Sequence, residues 1–288
     1  MKFSIIVPTW NNLKYLKICL NSIRKNSKYE HDLNVHVNEG NDGTVEYLNS
    51  NGIKFNHSVE NLGLCKGSNS AASLAETDYI IYTHDDMYFL PNWDQYLVNE
   101  IKLMSDNLFF LSSIQLSHYT PGKAIINHIH YNAGKTIDEF NEQKILNEFE
   151  NLKFYDLQGS HWAPHVIHKS IWNKIGGFSE EYDPGFGSDP DLNMKLWNIG
   201  ARIFKGVNKS RVYHFGSLTT RKNLNIQRNN GRKTFLLKWK ISMDYFIKHY
   251  LRRGEKYNNK LPNPEFTFLS FFELILCKIK YFYLRFFQ

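Results

Sequence analysis

Cysteine is scarce in this chain. Only Cys19, Cys65 and Cys277 occur among 288 residues, far apart and with no CxxC pair. This argues against a disulfide framework and a cysteine-built zinc site, and fits a reducing compartment. No run of 18 apolar residues is present, so no spanning helix is expected. Met1-Lys2-Phe3-Ser4 enters a strand-like run directly, without a signal-peptide pattern. Internal repeats and low-complexity tracts are missing too. Neither GxGxxG nor GxxxxGK(S/T) follows the first strand-like run. A nucleotide bound here must therefore have its diphosphate charge balanced in another way.

What is present is the composition of a globular protein: 42% hydrophobic, 22% charged and 15% aromatic. The length allows one large α/β domain with an appendage. The net charge of +7 is unevenly spread. Between Arg221 and Lys260 twelve Lys and Arg stand against two Asp and Glu, while the first 220 residues are net acidic. Such a segment suggests an anionic partner, or else a solvated charged helix.

The periodicity gives strands over Lys2–Val7, Leu33–Val37, Ile53–Phe55 and Tyr79–Tyr82, with helical spacing at Leu13, Leu16, Leu20 and Ile23 and a small-residue helix over Lys66–Ala75. Strand–turn–helix alternation predicts a parallel, doubly wound sheet that binds ligands at the carboxyl ends of its strands. Asn11 and Asn12 offer a cap for the first helix. Further along, a helix is expected from about Trp93 to Met104, a strand over Leu108–Leu116, helices over Ser170–Ile175 and Pro190–Ile199, and two short strands near Arg202–Phe204 and Val212–Phe215. Residues 117–158 read as mixed. Thr234–Leu251 reads as one long basic helix, and Phe266–Phe287 as apolar, aromatic and interrupted by charge.

Three constellations carry chemistry. The strand Tyr79–Tyr82 runs into His84-Asp85-Asp86. Two adjacent carboxylates at a buried strand end repel unless a cation lies between them, so a divalent metal on a diphosphate is one account and an acidic turn the other. Asp189 precedes Pro190 after a Gly-rich turn. It either caps the helix or, kept ionised by the helix N-terminus, acts as a general base, with Asp191 orienting the acceptor or the base. His214 follows a strand and is a structural residue or a third metal ligand, with Arg221 and Lys222 placed to clamp phosphate oxygens. Trp162 can stack on an acceptor sugar or pack in the core. Lys66 either reaches a phosphate or is solvated. His161, His165 and His168 lack the companions of a zinc site.

In their order and spacing these segments resemble family-2 glycosyltransferases of the GT-A fold over roughly residues 1–240. Ile5-Ile6-Val7-Pro8-Thr9-Trp10-Asn11 looks like that family's opening strand and base-binding turn. Asn38-Glu39-Gly40-Asn41-Asp42-Gly43-Thr44 is similar to its DDGSxDGT turn, and Asn61-Leu62-Gly63 with Gly67-Ser68-Asn69 to its NxG…N segment. His84-Asp85-Asp86 stands at the DxD motif and Ser188-Asp189 at the ED motif. The resemblance implies a Rossmann-like, mostly parallel sheet over residues 1–220 and a helical extension over 221–288. It implies inverting transfer from a nucleotide-diphosphate sugar to a glycan or lipid-linked acceptor. Mn²⁺ or Mg²⁺ would be held by Asp86, Asp85 and His214, and Asp189 would be the base. Pro8, Thr9, Asn11, Glu39, Lys66, Asp85, Arg221 and Lys222 would lie around the donor. Because His84 replaces the first Asp of DxD, the metal load is expected on Asp85 and Asp86.

The rival enzyme is a metal-dependent nucleotidyltransferase, which would usually bring a basic Gly-rich turn after the first strand. The rival from another class is a nucleic-acid-binding protein, suggested by the basic segment and opposed by the acidic body. A third is a related fold that binds a nucleotide-sugar without turning it over. In Phe266–Phe287, Lys278, Lys280 and Arg285 interleave with aromatics, which suits a helix lying on an anionic leaflet, or one packed on the body or a second subunit. The expected location is cytoplasmic, at the inner face of the membrane if that helix binds it, with a homo-oligomer as the other use of the helix.

Overall fold

In the computed structural model, residues 1–118, 128–216 and 229–287 are described. The strands are β1 (Ser4–Trp10), β2 (Asp32–Asn38), β3 (Lys54–Ser58), β4 (Tyr79–Tyr82), β5 (Met87–Phe89), β6 (Phe109–Ser117), β7 (His128–His130), β8 (Leu157–Gln158), β9 (His165–His168) and β10 (Ile203–His214). The helices are α1 (Leu13–Asn26), α2 (Thr44–Ser50), α3 (Leu64–Ala72), α4 (Trp93–Ile101), α5 (Glu142–Glu148), α6 (Lys169–Ile175), α7 (Ser188–Asn198), α8 (Gly231–Trp239) and α9 (Phe268–Phe286), with a turn of helix at Met243–Tyr245 continuing through Phe246–Tyr250.

The sheet runs β3-β2-β1-β4-β9-β6-β10-β5, with β7 on β6 and β8 on β10. The first four strands are parallel. β1 is buried almost throughout, as a central strand with apolar runs should be. β9 lies antiparallel between β4 and β6, and β5 antiparallel on β10. β4, β6 and β10 therefore share one direction. The carboxyl ends of β1, β2, β4 and β10 all open on the same edge, and the polar turns collect there.

Helix α3 approaches the β1 and β2 ends closely because it is built from small residues. A Cβ on Gly67 would meet the His36 ring at 2.9 Å and the Asn38 amide at 3.2 Å. One core joins the sheet to the helices, and it includes Phe235, Leu236, Phe246, Leu251 and Leu261 beyond residue 229. Each buried Leu or Phe of this kind contributes about 1.5–3 kcal/mol.

Several elements differ from the sequence reading. The two strands expected near 202–215 are one strand, β10, with an irregularity between Val207 and Arg211 where its pairing to β6 slips. The slip hides the strand period. The long helix expected over Thr234–Leu251 breaks at Lys240, which adopts a left-handed conformation (φ 61°) and ends α8. Asn12 makes no capping bond with its side chain. The Leu13 amide donates instead to the Asp42 carboxylate, 2.7 Å away, from the turn after β2.

Candidate active site

The Thr83 amide still bonds to the Ile6 carbonyl at the end of β4, and the chain then turns through His84, Asp85 and Asp86 into β5. β5 pairs with β10 so that Met87 faces His214, and the Phe215 amide donates to the Asp86 carbonyl at 3.1 Å. This register gathers His84, Asp86 and His214, whose ligating atoms all lie within 4.8 Å of one another. Asp86 is buried, and its Oδ1 is 3.3 Å from His214 Nε2. Burial holds the His84 imidazole down to about 4, against the pull of Asp86. The neutral imidazole is the form that ligates metals.

Behind His214 stands Gln115. Its Nε2 donates to the Ala163 carbonyl at 2.5 Å, which fixes its Oε1 toward His214 Nδ1, 3.1 Å away. With Nδ1 directed at Gln115, Nε2 is directed at Asp86.

Asp85 does not join this set. Its Oδ2 accepts from the Thr9 hydroxyl at 2.6 Å, and the Asn12 side chain also bonds it. Burial and the neighbouring Asp86 push its carboxyl well above the usual range. The group among the described residues whose ligating atoms come together is Asp86 with two imidazoles, and Asp85 stands outside it. Asp85 ties the β4 turn to the β1 turn. His84 is the residue that the reading passed over.

At the β1 and β2 ends, Asn11 Nδ2 donates to Glu39 Oε2 at 2.8 Å, and the Asn41 amide donates to Asn11 Oδ1 at 2.8 Å. Asn11 and Glu39 both have positive φ, 45° and 60°, as the tight turns require. Pro8 lies three residues upstream of Asn11, in β1. A cavity of about 430 Å³ opens beside Asn11, lined also by Lys14, Tyr15 and Asp42. Lys66 is exposed, its Nζ 3.8 Å from Glu180. The amides of Cys65 and Lys66 donate to the Asp183 carboxylate, at 2.6 and 3.3 Å.

The two aspartates of α7 differ sharply. The helix begins at Ser188 after Gly187, so Asp189 is its second residue and not its cap. Asp189 Oδ1 is buried with no hydrogen-bond partner among the described residues. Burial alone pushes its carboxyl up to about 7, overriding the helix N-terminus expected to keep it ionised. The hydroxyl of the fully buried Tyr82 feels the charges of both Asp189 and Asp85. Asp191 is fully buried and accepts on both oxygens. Ser179 Oγ donates to it at 2.6 Å, Trp239 Nε1 at 2.8 Å, and Lys238 Nζ lies 3.0 Å away. Both of its oxygens are engaged, and it binds α8 to α7.

Trp162 is in the core, with Ile114, Leu116 and Leu157, and donates through Nε1 to the Ser113 carbonyl at 3.1 Å. This is the packing alternative, not a sugar platform. His165 is buried against Tyr82 and Phe110, and His161 contacts Arg253, so neither belongs to a metal set among the described residues. Arg221 and Lys222 lie outside the described residues. Gln115 gave no signal in the sequence, because its place follows from pairing register alone.

No helix of the described residues is long and apolar enough to cross a membrane. Comparison with solved structures finds S. aureus TarS, residues 1–349, at 17% identity with a TM-score of 0.54, over 74% of this chain and 60% of that one. That protein has also been solved with UDP and with UDP-GlcNAc. It also finds GalNAc-T7 with UDP, GalNAc and Mn²⁺, at 16% identity with a TM-score of 0.59, over 86% of this chain and 50% of that one. These likenesses concern the fold, and the chain matches only about half to three-fifths of either relative's length. The family model for glycosyl transferase family 2 matches residues 4–151, through β1 to α5 and the site turns after β1, β2 and β4. The chain belongs to glycosyl transferase family 2, on a GT-A fold.

Proposed function

We propose that this protein transfers a glycosyl group from a nucleotide-diphosphate sugar to a hydroxyl of a glycan or lipid-linked glycan, with inversion at the anomeric carbon. The observation that carries the reading is the Asp189 carboxyl, whose buried Oδ1 has no hydrogen-bond partner among the described residues and which burial pushes up to about 7. A base of that kind suits proton removal at physiological pH.

His84, Asp86 and His214 would hold a divalent cation. Two imidazoles and one carboxylate suit Mn²⁺ better than Mg²⁺, which prefers oxygen ligands. Such a cation supplies charge stabilisation to the departing diphosphate. Asn11 and Glu39 bind base and ribose, with Pro8 and Thr9 shaping the turn. Thr9 and Asp85 lock that turn to the metal side. Lys66, Arg221 and Lys222 are assigned to the phosphates. Asp189 takes the acceptor proton as the acceptor oxygen attacks the anomeric carbon from the face opposite the diphosphate. The new glycosidic bond forms as the bond to the diphosphate oxygen breaks. The catalytic unit is assigned to residues 1–220 and an extension to 221–288, whose residues 229–261 share the catalytic core.

The test is a thermal-shift panel of nucleotide-sugars with and without Mn²⁺, followed by NMR of the anomeric configuration in the product. A donor at 100 times its Kd should add about 2.7 kcal/mol of stability. A retained configuration would reject Asp189 as the base of an inverting step. No metal-dependent stabilisation by any donor would reject the assignment of the His84–Asp86–His214 set.

A further inference from the structure

Helix α9 is attached to the body by one stripe only. Ser270, Leu274, Cys277, Tyr281 and Leu284 recur at three- and four-residue steps and face inward. Cys277 Sγ accepts from the Ser242 amide at 3.4 Å, and Glu273 is held by Lys248 at 2.6 Å and His249 at 2.5 Å. The opposite face should be polar in a surface helix. Here Phe268, Phe272, Ile275, Ile279, Phe282 and Phe286 form an outward crest, each between 38% and 90% exposed. Soluble monomers rarely leave so continuous an apolar strip bare.

The cations mark what covers it. At about 100° per residue, Lys278 and Arg285 fall along one edge of the crest and Lys280 along the other. All three are exposed. Long basic side chains at the borders of an aromatic strip are the arrangement that meets phosphate headgroups while the rings enter the acyl boundary. A second copy of the chain fits less well. An isologous contact sets the same patch against itself, so these cationic edges would meet one another. The carboxylates of this segment cannot relieve that: Glu265 precedes the helix, and Glu273 is already taken by Lys248 and His249.

We infer that α9 lies flat on an anionic lipid bilayer, with the Phe268–Phe286 crest below the phosphate level and Lys278, Lys280 and Arg285 at it.

The test is co-sedimentation of the full chain with phosphatidylcholine vesicles, with and without phosphatidylglycerol, beside light scattering to read the oligomeric state. Two variants are compared with the parent: Ile279→Glu with Phe282→Glu on the crest, and Lys278→Glu, Lys280→Glu with Arg285→Glu on its edges. All five side chains are exposed, and thermal melts verify that the fold is kept. Binding to the anionic vesicles should exceed binding to the neutral ones at least tenfold. The crest variant should lose it at every salt concentration. The edge variant should lose roughly fivefold per cation at low salt, and less as salt is raised. Vesicle binding that is absent, or unchanged in the crest variant, overturns the inference. A dimer that the crest variant splits, in a chain that ignores vesicles, assigns the face to a second copy instead.

Discussion

The molecule carries two pairs of closely spaced aspartates, and each pair is divided in the same way. In the β4 turn Asp86 joins two imidazoles, while Asp85 is spent on Thr9 and Asn12. In α7 Asp189 keeps an oxygen without a hydrogen-bond partner among the described residues, while Asp191 is engaged by Ser179, Trp239 and Lys238. One member of each pair thus stands at a candidate ligating or basic position and the other holds two elements together. Residue type and proximity are the same in both. In α7 what separates the roles is how many donors the surrounding elements aim at each carboxylate.

If that division is right, the members of the α7 pair should fail in opposite ways. Asp189→Asn should lower kcat by about 10²–10⁴-fold with donor binding kept, as read by steady-state kinetics and calorimetry. Parent activity should rise with pH through about 7, where the Asp189 carboxyl ionises. Stability should move the other way. The folded state keeps a proton that the unfolded chain releases near pH 4, so this group costs stability as pH rises from about 4 to 7. Denaturation midpoints of Asp189→Asn should match the parent at pH 4 and exceed it at pH 8. Parallel pH slopes in the two proteins would remove the perturbed carboxyl from the account.

Asp191→Ala should instead cost about 3 kcal/mol in urea denaturation, because it strands Lys238 and Trp239, while the folded fraction keeps near-normal turnover. In the β4 turn, Asp86→Ala should weaken Mn²⁺-dependent nucleotide binding at least roughly 100-fold, a loss of about 2.8 kcal/mol by calorimetry. Gln115→Ala tests the outer layer of the same site. It should reduce Mn²⁺ affinity by roughly 10-fold or more with metal-free nucleotide binding unchanged, since it frees the tautomer and orientation of His214. An unaltered Mn²⁺ affinity in Gln115→Ala would show that β6 does not position that ring.

The first half of the fold was legible because it is local. β1 to β4 and their helices alternate with clear periods, and the polar turns at the strand ends are contiguous in sequence. Asp86, Asp189, Asn11 and Glu39 stand out as candidates from such segments, while the Asn11–Glu39 contact does not. The rest depends on register between distant segments. His84 and Gln115 acquire their places only when β10 docks between β6 and β5. Trp162 and Asp191 were drawn toward the acceptor because composition does not show whether a side chain faces a cleft or a core. In α9 the reversed polarity was visible in the sequence, but the stripe that holds it to the body was not.

The pairing of Met87 with His214 has a consequence for the order in which the molecule matures. His84 and Asp86 come from the middle of the first half of the chain, whereas His214 closes the last long strand of the sheet. Contacts of such high sequence separation form late in folding, after loop closure has been met by other interactions. A chain whose β10 has not yet zipped onto β6 and β5 has two of the three ligands and no third. If this set holds a metal, tight capture is withheld from partly folded molecules, and metal affinity becomes a readout of whether the far edge of the sheet is complete.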